Sequence, residues 1–184
     1  MDTPEITEEI LQCFDEQGHP TQGLPRSTVL QHPHLYRCGV SNIWLVNNQG
    51  QLLCSKRTED KKVNPGRWQS YFGGHVPAGM SFKENAIKEL QEETGIAATE
   101  SELFLIDKGL YLKEGNNKFY ENFAFLYNQG TLDLTKSDGE VTEVRWMNMK
   151  DYWQEQEANP DKWCHKCRPE DQEKIMNWLK QKIS

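Results

Sequence analysis

Apolar and polar positions along this 184-residue chain fall into short runs separated by turn-forming residues. Tyr36–Val46 (YRCGVSNIWLV) and Gln51–Arg57 (QLLCSKR) flank Asn47-Asn48-Gln49-Gly50, a connection of the kind that joins antiparallel strands, and so predict a hairpin. Asn64–His75 (NPGRWQSYFGGH) reads as a turn, a short strand and a glycine bend. Further strands are predicted in Glu102–Leu112, Asn117–Tyr127 and Glu140–Asn148, and helices over Phe82–Thr94 and Pro169–Ile183. Upstream, short apolar pieces between Ile6 and Pro33 are interrupted by DEQGHPTQGLPRS. This predicts an N-terminal extension, residues 1–35, packed on a domain of residues 36–184. Strands and helices intermix, which favours an α/β or α+β layered domain. Trp68 and Trp146 read as core residues, because a domain with six tryptophans must bury most of them.

The helix over Phe82–Thr94 is delimited from both sides. Ser81 followed by Glu84 has the form of a capping box, and Gly95 suits the left-handed position past the last turn. Its C-terminal half carries Glu89, Glu92 and Glu93 within roughly 100° of arc, beside an apolar face of Ala86, Ile87 and Leu90. Like charges three and four residues apart each cost about 0.2–0.5 kcal/mol, and anions at a helix C-terminus also oppose its dipole. A divalent cation reverses that balance, since converging carboxylates make an oxygen-rich site for an ion such as Mg²⁺ that also binds phosphates. The alternative is a solvated acidic face eased by Lys88. Gly73 and Gly74, just upstream, permit close approach of a ligand to the backbone, so the order of glycine bend, loop and acidic helix predicts a metal-dependent phosphate site.

Composition narrows the classes. The chain is 36% hydrophobic and 27% charged, as expected of a globular protein, and its net charge of −7 argues against a nucleic-acid polymer as partner while leaving a small phosphorylated ligand open. The acidic start, MDTPEITEEILQ, does not have the form of a signal peptide, and no apolar run is long enough for a membrane helix, so a cytoplasmic protein is expected. Cys13, Cys38, Cys54, Cys164 and Cys167 are scattered and odd in number, which suits a reducing compartment. Cys164-His165-Lys166-Cys167 is half of a zinc pattern without its second half and reads as ordinary thiols.

The segment Gly74–Ile96 resembles the Nudix box: a glycine, five residues, a glutamate, seven residues, then REUxEExGU with U apolar. Gly74, Glu89, Leu90, Glu92, Glu93, Gly95 and Ile96 meet the pattern, whereas Met80 stands in place of its first glutamate and Lys88 in place of its arginine. In the family those two side chains brace the loop by a salt bridge; here Lys88 is expected to pair with Glu84 instead. From about Ile10 to Met147 the chain also looks like the branch containing isopentenyl diphosphate isomerase and its hydrolase relatives. The isomerases' catalytic cysteine would fall on Gly73 and an upstream metal histidine on Cys38, with His32 and His34 nearby.

The resemblance implies a Nudix-type α/β/α sandwich with a mixed sheet. It also implies Mg²⁺-dependent (or Mn²⁺-dependent) hydrolysis of a small-molecule diphosphate, and dimers are common in the family. It places the metal on Glu89, Glu92 and Glu93 and the general base on Glu93 or Glu89, with Glu140 as an outside candidate. Substrate contacts are expected from Arg57, Lys61, Gly73, Gly74 and His75. The alternatives are isomerisation, which the loss of the cysteine at Gly73 disfavours, and a catalytically silent diphosphate-binding module.

Overall fold

Successive residues of one strand, Arg37–Val46, enter two different cores. Ile43 and Leu45 pack in one with Ala86 and Leu90, while Trp44 and Val46 pack in the other with Tyr152, Ile175 and Trp178. The computed structural model describes residues 8–113, 116–128, 132, 139–164 and 169–183. In chain order the strands are β1 (Ile10–Phe14), β2 (Pro20–Pro25), β3 (Arg37–Val46), β4 (Gln51–Arg57), β5 (Trp68–Gln69), β6 (Phe72–His75), β7 (Phe104–Lys113), β8 (Asn116–Leu126) and β9 (Val141–Asn148). The helices are α1 (Arg26–Gln31), α2 (Phe82–Thr94), α3 (Met149–Ala158) and α4 (Pro169–Ile183).

β3 organises the sheet. One edge pairs in parallel with β8 from Cys38↔Lys118 to Val46↔Leu126. The other is shared in turn by β1 (Cys13↔Cys38), β6 (Val40↔His75 to Ile43↔Phe72) and β4 (Val46↔Leu52), all antiparallel. β4 continues to β5 and β9, and β8 to β7. The period-two alternation of side chains therefore sorts β3 into two faces. α2 covers one of them, with Ala86 and Leu90 fully buried; α3 and α4 cover the other through Tyr152, Ile175, Trp178 and Leu179. The result is an α+β sandwich around a mixed sheet. Burying a side chain such as Leu90 contributes about 1.5–3 kcal/mol.

The Asn47–Gly50 connection closes as expected. Asn47 Oδ1 accepts the backbone N–H groups of Gln49 and Gln51, each at 3.0 Å, and Gly50 takes φ 74°. α2 begins and ends at the predicted residues, with both capping-box hydrogen bonds formed and Gly95 at φ 74°. Residues 10–25 form β1 and β2 in the same sheet, where Leu11 is fully buried. α3 is not foreshadowed in the sequence pattern. Asn148, read there as the end of a strand, also caps it, its Oδ1 accepting from Asp151 N at 2.9 Å. Trp68 is buried, and the Arg145 guanidinium lies 4.0 Å over its ring. Cys164 is a free, half-buried thiol, and His165 and Cys167 lie outside the described residues. No helix among the described residues is long and apolar enough to cross a membrane.

Candidate active site

The acidic turn of α2 is seated on the glycine bend of β6. Gly73 N–H donates to Glu93 Oε2 at 3.2 Å, and Asn85 Nδ2, two turns earlier on the helix, donates to the Gly74 carbonyl at 3.3 Å. Between these bonds the Glu89 carboxylate lies directly against Gly74, so closely that a Cβ built there would stand 2.5 Å from Glu89 Oε1. Two glycines in succession are required for different reasons. Gly73 has φ 140° and faces the Ser41 carbonyl, which only a residue without a side chain tolerates, whereas Gly74 makes room for the carboxylate.

The three glutamates differ in setting. Glu93 is buried, the Glu89 side chain is 14% exposed, and Glu92 is 46% exposed. Burial pushes the Glu89 carboxyl up to about 7; Lys88 opposes the rise, and the negative charges of Glu92, Glu9 and Glu140 add to it. Lys88 does not pair with Glu84 as expected from the sequence. Glu84 is engaged in the helix cap, and Lys88 Nζ instead reaches Glu92 at 2.6 Å and Glu89 at 3.7 Å. The cation thus remains beside the acidic cluster without its family partner at position 80, where Met80 is half-buried.

Other predicted residues fall in two places. Lys61 pairs with Glu140, whose charge is felt at Glu89, so both belong to the periphery of the carboxylates. Arg57 Nη1 donates to Gln69 Oε1 at 3.2 Å. His75 lies on the opposite face of the sheet from Gly74, as alternation along β6 requires. It accepts at Nε2 from Lys118 Nζ at 3.2 Å, and burial together with that ammonium holds it neutral, with a pKa of about 3. Sequence reasoning missed Glu9, which acts on Glu89 only through tertiary placement, and Lys118, which reaches His75 only through the β3–β8 and β3–β6 registers.

Among the described residues, no three His, Cys, Asp or Glu side chains stand close enough to hold an ion as they are placed. Glu92 is turned to Lys88. The donor chemistry nonetheless fits a hard divalent cation. The set is oxygen-only, Gly74 keeps the space in front of Glu89 free of a side chain, and Glu89 is a buried carboxyl with acidic neighbours, which a cation would stabilise in its charged form.

Comparison with known proteins agrees with this geometry. A NUDIX domain family model matches residues 35–166. An uncharacterised Nudix hydrolase of Pseudomonas aeruginosa, PA4841, is 38% identical over 88 residues, covering 48% of this chain and 51% of that protein, so the chain spans about half the length of that relative. The isopentenyl-diphosphate Delta-isomerase of Salmonella typhi is 30% identical over 161 residues, covering 84% of this chain and 86% of that protein. Among solved structures, DR0079 from Deinococcus radiodurans superposes with a TM-score of 0.67 at 17% identity, covering 92% of this chain and 98% of that one, and shares the fold.

Proposed function

Because this chain belongs to the Nudix family, we propose that it is a Mg²⁺-dependent hydrolase that cleaves the diphosphate bond of a nucleoside diphosphate derivative or another small X-diphosphate, with water attacking phosphorus. The observation that carries this reading is the seating of the glycine bend on the acidic turn, with Gly73 N–H on Glu93 and Gly74 open beneath Glu89. Glu89, Glu92 and Glu93 would hold the ion, which when bound neutralises the diphosphate and acidifies a coordinated water.

The chain's own groups supply the rest. Gly73 N–H fixes the Glu93 carboxylate, and Asn85 fixes the bend to the helix, so the carboxylates and the backbone keep their spacing without a ligand. Glu89, held near 7 by burial, is able to carry a proton at neutral pH; with Glu93 it forms the pair from which the general base is drawn. Arg57 and Lys61, from β4 and the loop after it, supply cationic contacts for the phosphates.

The likeness to an isomerase favours a second reading, isomerisation of a prenyl diphosphate. It lacks its thiol here: Gly73 occupies the position, and a Cβ there would stand 2.0 Å from the Ser41 carbonyl oxygen. A panel of diphosphates incubated with and without Mg²⁺ or Mn²⁺, with products identified by mass, separates the readings. Hydrolysis predicts metal-dependent release of a phosphate-bearing fragment. It also predicts losses of at least about a hundredfold in Glu89→Gln and Glu93→Gln, and a smaller loss in Glu92→Gln because Glu92 is half exposed and already tied to Lys88. Full turnover in both of the first two variants would sink the proposal, and a shifted double bond without phosphate release would replace it.

A further inference from the structure

On the sheet face opposite α2, an open cavity of about 150 Å³ lies between α1, the start of β3 and the start of β8. Val29, Leu30, Pro33 and Tyr36 give it an apolar wall, and the Asn117 amide and the Lys118 ammonium are its polar groups. The Cys38 thiol, buried opposite Lys118 in the β3–β8 register, completes the lining. No residue in this set coincides with the glutamates or the glycine bend.

Lys118 is the unusual member. Its Nζ donates to the neutral His75 ring at 3.2 Å, and none of the ion pairs among the described residues includes it. Arg26 adds to the positive field at His75 and Cys38, although its own guanidinium is paired with Glu9 at 2.6 Å. A partly buried ammonium facing a neutral imidazole, in a chain of net charge −7, leaves a charge whose natural complement is an anion. The cavity beside it offers that anion space, and its wall offers apolar contact to whatever the charged head is attached to.

We propose that this cavity binds a small organic anion, its charged head on Lys118 and Asn117 and its compact apolar body against Val29, Leu30, Pro33 and Tyr36. The site is separate from the diphosphate site and does not depend on hydrolysis. The two are nevertheless linked through the chain, since His75, which Lys118 contacts, directly follows Gly74.

The test uses the whole chain in chelator, so that divalent metal and turnover play no part. Isovalerate (head and body), inorganic phosphate (head alone) and isovaleramide (body without charge) are titrated by calorimetry and by NMR of the His75 ring. Saturable binding of isovalerate that moves the His75 signals, no binding of isovaleramide, and at least a tenfold loss of affinity in Lys118→Met are expected. If phosphate binds with the same Lys118 dependence, the head is a phosphate; if only isovalerate does, it is a carboxylate. Leu30 is 43% exposed at the rim, so Leu30→Glu is a second variant that folds without strain and repels an anion; it should abolish binding as well. No saturable binding of either anion, equal affinity for the amide, or unchanged affinity in Leu30→Glu would overturn the proposal while leaving the hydrolase reading untouched.

Discussion

Gly74 and Glu89 share one space: the carboxylate of the helix residue fills the position where a side chain on the strand residue would begin, 2.5 Å from its Cβ. The atom in the way is the end of a flexible side chain, so Gly74→Ala is expected to displace the carboxylate rather than the backbone. Stability should change by no more than about 1 kcal/mol, while turnover falls by about a hundredfold, the usual consequence of a misplacement on the order of 1 Å. Parallel thermal melts and kcat measurements decide this. A variant that melts early and keeps its activity would mean that Glu89 is not held by Gly74.

Gly73 makes the contrasting case one residue away. Its φ is 140°, and the atom facing its missing side chain is the Ser41 carbonyl oxygen, 2.0 Å from a built Cβ, which belongs to the central strand and cannot yield. Gly73→Ala and Gly73→Cys are therefore expected to cost about 3 kcal/mol or more in stability, through strain and clash together. In urea titrations the midpoint of Gly73→Ala should lie well below that of Gly74→Ala. Coincident midpoints would refute the distinction, and a stable Gly73→Cys with isomerase activity would reopen the second reading of function.

These two glycines also mark how far the sequence could be read. Local rules were enough for α2, because Ser81, Glu84 and Gly95 satisfy helix-end amides and carbonyls within the segment itself. They were enough for the β3–β4 hairpin, where Asn47 and Gly50 build the turn. What was not legible depends on pairing across long stretches of chain. β1 becomes a strand by docking beside β3, β2 carries Gly and Pro and becomes one by pairing with β1, α3 is fixed by Tyr152 reaching the core and Ser70, and Lys118 meets His75 only because both flank β3. The Lys88 pairing was misassigned for a local reason, since the cap and the salt bridge competed for Glu84 and the cap prevailed.

His75 is expected to make the folded state acid-sensitive. Its pKa is about 3 in the fold, through burial and the positive charges of Lys118 and Arg26, against an ordinary value of 6.5. Between those two values the unfolded chain takes up a proton that the native ring refuses. The contribution is therefore fully present above about pH 6.5 and is lost as pH falls towards 3. Its upper bound is on the order of 5 kcal/mol, from about 1.4 kcal/mol per pKa unit. Unfolding free energies at pH 7 and pH 5 should differ less in His75→Asn than in the unaltered protein. An identical pH dependence in both would show that the ring is not held neutral.

The ion pair between Lys61 and Glu140 separates binding from structure. Both side chains are partly exposed, so the pair itself contributes no more than about 1 kcal/mol, and Lys61→Ala should leave the melting temperature almost unchanged. Yet Glu140 is close enough for its charge to raise the Glu89 pKa, which places the Lys61 ammonium at the edge of the acidic turn, where a diphosphate would lie. On the hydrolase reading, removing that cation weakens ground-state and transition-state binding together, so KM should rise about tenfold with kcat little altered, and the effect should shrink at high salt. Glu140→Gln provides the control. It frees the ammonium without deleting it and should lower KM or leave it unchanged. A fall in melting temperature with KM constant in Lys61→Ala would assign the residue to the loop's stability, and its place among the substrate contacts would have to be given up.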